Sequence, residues 1–368
     1  MYKVIDLFSG VGGFSKGFNQ NSYKVTKAVE YDMVISQSYS YNHPDVEMIN
    51  KDIGEINISD HFGKGEADVI IGGPPCQGFS MAGARIRKDF IDDERNYLFK
   101  YYYEIVQKVR PKVFVMENVK GILTMQNGQV FKEIKNIFEN GIEKEDSKYH
   151  ISYKVLNAKN FGVPQNRERV FIIGTLEKKI SAEIILEEIE KNLKRDRKEI
   201  FEPVTIQDAI GNLPNTVKEG SVSYPVPVSE YQKYLSCQCD DLMNHNHLGH
   251  SKIATERIKQ VKPGENYTIL KDEIKSVHSG SYGRLVWDGI AQTITTRFDT
   301  PSGGRFIHPY FDRTISPREA ARIQSFPDDF HFLGNKSSVR IQIGNAVPPK
   351  LGFYISECVK EILHAYYT

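Results

Sequence analysis

Residues 72–80 read Gly-Gly-Pro-Pro-Cys-Gln-Gly-Phe-Ser and follow the short apolar run 68–71. That run is typical of a buried parallel strand. Prolines fix φ and lack an N–H, and glycines allow close backbone approach, so this loop can hold one small thiol, Cys76, rigidly at the end of a strand. The thiol is either a nucleophile or a buried structural cysteine that packs as a small apolar side chain.

The N-terminal stretch has the pattern of a nucleotide-binding turn. Residues 4–7 predict a strand, residues 9–13 a glycine-rich turn, and a helix follows. Glu30 comes after the apolar run 25–29, at the spacing from which an acidic side chain reaches ribose hydroxyls; a solvated strand end is the plainer reading. The last position of the G-x-G-x-x-G pattern is Ser15. These residues alone leave both a dinucleotide and S-adenosylmethionine open, since both carry a ribose.

A further buried strand is predicted at residues 113–116, with Glu117 at its carboxyl end. Ligands of open α/β sheets bind outside the carboxyl ends of the strands. The glycine turn, Glu30, Cys76 and Glu117 are therefore expected at one edge of one sheet, which is the arrangement of an active site.

Six stretches in a fixed order carry a resemblance to a known family. Together they resemble the motifs of the bacterial DNA cytosine-C5 methyltransferases of the restriction-modification type. A single match of this kind would be a weak signal, whereas six matches in the same order are a strong one. They are DLFSGVGGF at 6–14, PPCQGFS at 74–80, ENV at 117–119, QNRER at 165–169, SPREAARIQSFPDDF at 316–330 and GNAVPP at 344–349.

The resemblance implies an α/β fold in two parts. The first is a Rossmann-like S-adenosylmethionine-dependent methyltransferase sheet, completed by an antiparallel hairpin near 153–175 and expected at residues 1–178 plus 341–368. The second is a smaller, mostly irregular or β target-recognition domain at residues 179–340, where prolines become frequent and no parallel-sheet pattern is visible.

The resemblance also implies a set of cofactor residues. Phe8 is expected against the adenine, Asp52 near its amino edge and Glu30 at the ribose. The full set expected to bind S-adenosylmethionine is Phe8, Ser9, Gly10, Gly12, Gly13, Glu30, Tyr31, Asp52, Ile53, Pro74, Asn345 and Ala346.

The chemistry implied is covalent. Cytosine C5 is a poor nucleophile until a thiolate adds at C6, so Cys76 is expected as the nucleophile and Glu117, kept protonated by burial, as the partner of N3. Arg167 and Arg169 alternate with Glu168 and are expected on one side of an extended segment, near cytosine O2 or the phosphates. The plainer reading of these arginines is a surface strand of ion pairs.

Double-stranded DNA is the expected partner, with the target base flipped out of the helix. The loop 85–95 is expected to close over that base, although its mixed charges also fit a solvated loop. The segment 283–307 is expected to read base edges, although it also fits an ordinary polar hairpin. The residues expected to contact DNA are Ser80, Arg85, Arg95, Arg284, Gln292, Thr293, Arg297 and Arg305.

Composition limits the remaining choices. The net charge is +1, so a DNA-binding surface must be a local basic patch. Four scattered cysteines favour a reduced cytoplasmic setting, and neither a signal peptide nor a membrane span is expected. Cys237 and Cys239 precede His245, His247 and His250, but one residue between the cysteines is fewer than structural zinc sites use, so no metal is expected.

Three other functions compete with DNA methylation. A transfer-RNA methyltransferase would share residues 1–175 but carry a Cys-Phe-Thr signature that is absent here. An inactive homologue is disfavoured by intact Cys76, Glu117 and Arg169, and a nicotinamide oxidoreductase by Ser15. We expect a monomer whose functional partner is a cognate restriction endonuclease.

Overall fold

A computed structural model describes residues 1–75, 97–196, 198, 202–218, 220–237, 240–247, 249–271 and 279–367. Four predicted site residues lie outside the described residues: Cys76, Ser80, Arg85 and Arg95.

The described residues form eleven strands and twelve α-helices. The strands are β1 (Tyr2–Leu7), β2 (Tyr23–Val29), β3 (Glu47–Ile49), β4 (Val69–Gly72), β5 (Val113–Val119), β6 (Tyr149–Asn157), β7 (Gln165–Asn166), β8 (Glu168–Leu176), β9 (Val222–Ser223), β10 (Asp241–Leu242) and β11 (Ala291–Gln292). The helices are α1 (Gly13–Asn19), α2 (Met33–Asn42), α3 (Ile58–His61), α4 (Tyr97–Val109), α5 (Gln129–Asn140), α6 (Ala182–Asp196), α7 (Ile206–Ile210), α8 (Glu230–Leu235), α9 (Lys252–Gln260), α10 (Pro317–Ile323), α11 (Lys336–Asn345) and α12 (Pro349–Tyr367).

The chain divides into two compact units. The first, here the sheet unit, comprises residues 1–157, 168–198 and 352–368, and the second, here the helical unit, comprises residues 158–167 and 199–351. The domain boundaries and roles predicted from the sequence stay predictions.

The sheet unit is built on one seven-stranded sheet in the order β3-β2-β1-β4-β5-β8-β6. The first five strands of this order, β3, β2, β1, β4 and β5, are parallel. Strand β8 runs antiparallel to both of its neighbours, β5 and β6. The predicted α/β sheet with its closing antiparallel hairpin is therefore confirmed.

Apolar residues explain why these segments become buried strands. All four residues of β4 and the last four of β1 are buried, as expected for central parallel strands covered on both faces. Helix α4 presents Tyr102, Ile105, Val106 and Val109 to this core, at the spacing of an amphipathic helix. Gly174 on β8 leaves the space that the ring of Phe114 fills.

The sequence missed several elements of the sheet unit. Residues 54–65 look like a polar connection in the sequence, but they contain α3 and bury Ile56 and Phe62. Helix α2 was not predicted because its Ser- and Tyr-rich face has little amphipathic contrast. Its one local signal is Asp32, whose carboxylate accepts hydrogen bonds from the amides of Val34 and Ile35 as an N-cap.

The helical unit has less β-structure than predicted. Its strands in the described residues have two residues each, and α7 to α11 supply most of its regular structure. Helix α10 begins as the sequence indicates, with Ser316 as N-cap, Pro317 in the first turn and Glu319 closing a capping box.

Buried ion pairs hold α10 in place. Arg322 and Asp328 are both fully or almost fully buried and form a two-pronged pair at 2.9 and 2.8 Å. Arg313 binds the buried carboxylate of Glu319 in the same manner, at 2.8 Å to each oxygen. The nearby Arg313 guanidinium holds the pKa of Glu319 far below its usual range, against the opposing effect of burial.

No helix among the described residues is long and apolar enough to cross a membrane.

We predict that Asp328→Ala lowers the free energy of unfolding by about 3–5 kcal/mol, because the Arg322 guanidinium would remain buried without its carboxylate. Urea denaturation measures this change. Asp329→Ala is the matched control, since Asp329 is exposed and its loss should cost less than about 1 kcal/mol. Equal losses in the two variants would contradict the prediction.

Candidate active site

The turn after β1 is held in left-handed backbone conformations. Phe8, Gly10 and Gly12 have φ of 56°, 54° and 92°. A Cβ on Gly12 would lie 2.5 Å from the imidazole Nε2 of His43, whereas the corresponding position on Gly10 is open. The amide of Ser9 donates to the carbonyl of Val29 at 3.0 Å and ties the turn to the end of β2.

Glu30 lies directly against this turn. Its carboxylate accepts hydrogen bonds from the amides of Gly10 and Asp32, each at 3.0 Å, and the side chain is 6% exposed. Burial raises its pKa, and the amide donors oppose that rise. A carboxylate has about four lone-pair sites, so these two donors leave room for a hydroxyl group. The structure therefore brings together the predicted glycine turn and the predicted acid.

A buried hydrogen-bond network joins Asp6 on β1, Ser15 on α1 and Tyr39 on α2, and it was not predicted from the sequence. Ser15 donates to Asp6 Oδ2 at 2.6 Å and pairs with the Tyr39 hydroxyl at 2.8 Å. All three side chains are at most 1% exposed. Ser15, which breaks the dinucleotide pattern, thus has a structural role. Burial raises the pKa of Asp6 to about 7, and the nearby Glu30 adds to that rise while the Ser15 hydrogen bond opposes it.

Three further predicted cofactor residues of the sheet unit, Tyr31, Asp52 and Ile53, differ in exposure and in hydrogen bonding. Asp52 caps a short 3-10 turn by accepting from the amide of Gly54 at 2.8 Å, and Ile53 is buried. Tyr31 is 72% exposed. Asn50, which was not predicted, donates to the carbonyls of Glu30 and Tyr31 and holds that segment.

The chemistry of this set fits S-adenosylmethionine. A buried carboxylate suits ribose hydroxyls, Phe8 and Tyr31 offer aromatic faces to an adenine, and the open backbone at Gly10 admits a ligand.

Glu117 lies inside β5, two residues before its end, rather than after it. Its Oε1 is 3.0 Å from Nε of Arg169, and the two side chains are 13% and 16% exposed. A Cβ on Gly73 would lie 3.2 Å from Oε2 of Glu117, so the turn that leads to Cys76 runs close to this carboxyl group. Asn118 fixes the same turn by donating to the carbonyl of Pro74 at 2.9 Å.

Arg167 differs from its expected placement. Its guanidinium is buried and donates to the carbonyls of Ile294, Gly344 and Ala346 at 3.2, 3.2 and 2.9 Å. These contacts join three segments of the helical unit, and the predicted catalytic role of Arg167 stays a prediction. Asn345 is exposed at the end of α11.

Arg284 also differs from its expected placement. It is 4% exposed and donates to four carbonyl oxygens and to Asp312. Such a guanidinium would have to give up these bonds to reach a base edge, and its assignment to DNA stays a prediction. Arg305 is half-buried and donates to two carbonyls, and Thr293 donates to the carbonyl of Asn166, whereas Gln292 and Arg297 are exposed.

The three histidines considered for zinc have protein partners. His245 pairs with Ser316 Oγ and the Pro214 carbonyl, His247 with Thr314 Oγ1, and His250 accepts from the Thr314 amide. No group of three metal-ligating side chains occurs among the residues that the structure describes. Cys239 lies outside them.

The fold is that of an α/β enzyme with a Rossmann-like sheet. The family model of C-5 cytosine-specific DNA methylases matches residues 2–361. The chain therefore belongs to the C-5 cytosine-specific DNA methylase family, and it is a DNA cytosine-5-methyltransferase.

Named relatives and solved structures agree with this assignment. The chain is 34% identical to the Type II methyltransferase M.DdeI of Desulfomicrobium norvegicum, over 96% of this chain and 87% of that protein. It is 35% identical to M1.HphI of Haemophilus parahaemolyticus, over 96% and 86%. A prophage-encoded E. coli protein assigned as a DNA modification methyltransferase superposes with a TM-score of 0.75 at 28% identity, over 99% and 100%. The S. pombe Dnmt2 methyltransferase, at 15% identity and a TM-score of 0.62 over 98% and 99%, shares the fold.

We predict that Asp6 makes stability fall as pH rises from about 4 to 7. Its pKa is higher in the folded chain than in the unfolded one, so the folded state binds more protons in this range and is destabilised as they are lost. Urea denaturation across that pH range measures the free energy of unfolding of wild type and of Asp6→Asn. The difference between the two proteins should fall with rising pH by up to about 4 kcal/mol. Identical slopes in both proteins would contradict it.

Proposed function

We propose that this enzyme transfers a methyl group from S-adenosylmethionine to C5 of a cytosine flipped out of a short, specific duplex sequence, through a covalent adduct with Cys76. The observation that carries the proposal is the closeness of Gly73 to Glu117, with Arg169 ion-paired to the same carboxyl group. The described chain thus passes a buried acid and a guanidinium at Gly73, three residues before Cys76 in the sequence.

Each of these residues has a defined part in the reaction. The Cys76 thiolate adds to C6 of the base, breaks its aromaticity and makes C5 nucleophilic. Glu117 holds N3, where negative charge would otherwise build up. Arg169 holds the Glu117 carboxyl group and offers its remaining donors to cytosine O2. After methylation a base removes the C5 proton and Cys76 leaves by elimination.

Glu117 was expected to be neutral because of burial. Its ion pair with Arg169 opposes protonation, so the neutral form of Glu117 stays a prediction. We propose that Glu117 carries a proton when the base enters and donates it to N3 as the Cys76 thiolate adds to C6, with Arg169 moving its contact towards O2.

The cofactor is proposed to lie at the turn after β1, with Glu30 at its ribose and Phe8, Tyr31 and Asp52 at its adenine. S-adenosylmethionine, when bound there, supplies an electrophilic methyl group. The open backbone at Gly10 and the nearly buried Glu30 carboxylate support this placement.

We further propose that exposed residues of the segment 283–307, chiefly Gln292 and Arg297, read the target sequence. Type II relatives support a role in protecting DNA from a cognate restriction endonuclease, with which no physical contact is required.

The experiment that tests the proposal measures transfer of labelled methyl groups from S-adenosylmethionine to duplex DNA and to transfer RNA. We expect labelling of duplex DNA alone, at cytosine C5. Duplex containing 5-fluorocytosine at the target should trap a covalent complex, because fluorine cannot leave as a proton. Cys76→Ala should abolish that complex; an adduct formed without the thiol, or labelling of transfer RNA alone, would overturn the proposal.

We predict that Glu117→Gln slows the single-turnover methylation rate by about 10²–10⁴-fold with cofactor binding retained, because a neutral amide has no acidic proton to give to N3. Glu168→Gln is the matched control, since Glu168 is half-exposed and pairs with Lys120. Rapid quench of labelled transfer measures the rates. An unchanged rate for Glu117→Gln removes this residue from the mechanism.

A further inference from the structure

The segment expected to read DNA is joined to the segment 164–167 within the helical unit. Strand β11 pairs in parallel with β7, aligning Ala291 with Gln165. The amide of Ala291 donates to the carbonyl of Pro164 at 2.9 Å, and the Thr293 hydroxyl donates to the carbonyl of Asn166 at 2.8 Å. The 291–293 backbone is therefore fixed at its start.

Two buried side chains then hold both peptide groups of Ile294. Its amide donates to Gln165 Oε1 at 2.8 Å, and its carbonyl accepts from Arg167 Nη1 at 3.2 Å. Gln165, Arg167 and Ile294 are each at most 1% exposed. Water cannot substitute for these partners in such a position.

The same two side chains also hold the end of α11. Arg167 donates to the carbonyls of Gly344 and Ala346. Gln165 donates to Gln324 Oε1 at 3.0 Å, and Gln324 in turn donates to the carbonyl of Ile343. The guanidinium of Arg167 and the side-chain amides of Gln165 and Gln324 thus join the segment 283–307 to the segment 343–346.

The two segments also touch directly. A Cβ on Gly344 would lie 2.5 Å from the amide nitrogen of Thr296 and 2.6 Å from the carbonyl carbon of Thr295. Both atoms are backbone and cannot rotate away, so the position requires glycine for close approach. Thr295 and Arg297 leave this packed backbone with exposed side chains.

We propose that Arg167 is a positioning residue that sets sequence discrimination, by fixing the 294–297 backbone from which Thr295 and Arg297 contact base edges. This rests on the proposed recognition role of the segment 283–307. Arg167 does not itself touch the flipped base. A guanidinium is needed because its planar fork serves three carbonyls in fixed directions, which an ammonium group cannot do.

The test compares Arg167→Met with Arg318→Met. Arg318 is the matched control because it is buried in the same unit and also donates to three carbonyls, those of Met243, Pro327 and Phe330. The cognate duplex is first identified by methylating a randomised library with the wild-type enzyme. Each variant is then assayed on the cognate duplex and on all its single-base variants, below its melting temperature.

We expect Arg167→Met to lower the ratio of kcat/KM between cognate and variant duplexes about tenfold, at the base pairs that Arg297→Ala also affects. Its single-turnover rate on saturating cognate duplex should stay within about threefold of wild type, since no reacting atom has lost a contact. Arg318→Met should keep the wild-type ratio, whatever stability it loses.

Three outcomes would overturn the inference. They are a fall in the single-turnover rate of Arg167→Met with an unchanged ratio, an equal fall in the ratio for Arg318→Met, and an unchanged ratio for Gly344→Ala. The last variant displaces the same backbone without removing a charge and decides the matter if Arg167→Met does not fold. Absence of methyl transfer to any duplex by the wild-type enzyme would instead overturn the proposed function itself.

Discussion

The close approach of Gly72 to its neighbouring strand is the constraint on which the active site depends. A Cβ on Gly72 would lie 2.5 Å from the carbonyl oxygen of Leu7, and one on Gly73 would lie 3.2 Å from Glu117 Oε2. Strand β4 lies between β1 and β5 in the sheet, so its carboxyl end has the glycine turn on one side and Glu117 on the other. A side chain at position 72 would collide with the backbone of β1, so glycine is required where the chain leaves the sheet towards Cys76.

Elements with strong local patterns could be predicted from the sequence. Central strands such as β4 are continuous apolar runs, and α10 carries its own capping box, so neither needs distant information. Glu30 and the glycine turn were predicted together because parallel strands bring their carboxyl ends to one edge. Helix α2 and the short β3 were missed because neither has a clear hydrophobic periodicity of its own. Their formation depends on the sheet against which they pack.

Buried charge was the feature least visible in the sequence. Arg284, Arg318 and Arg322 resemble surface or DNA-contacting arginines by composition, yet each is at most 4% exposed. What decides their position is the set of carbonyl and carboxylate oxygens supplied by distant segments, which only the folded chain assembles. A buried guanidinium is stable there because these acceptors replace water around its donors. An arginine in a polar segment therefore says little about DNA until its acceptors are known.

Arg167 and Arg169 show how a two-residue period can mislead. Their alternation with Glu168 predicted one shared face, which holds only for an uninterrupted strand. The chain instead turns at this point, because the amide of Arg167 donates to the carbonyl of Gln165 at 3.1 Å, and β8 begins only at Glu168. The turn frees each arginine for a separate set of partners. Arg169 reaches the carboxyl group of Glu117 from within β8, whereas Arg167 serves the carbonyls of Ile294, Gly344 and Ala346. One short motif thus contributes a charge to the proposed chemistry and an anchor to the proposed recognition segment.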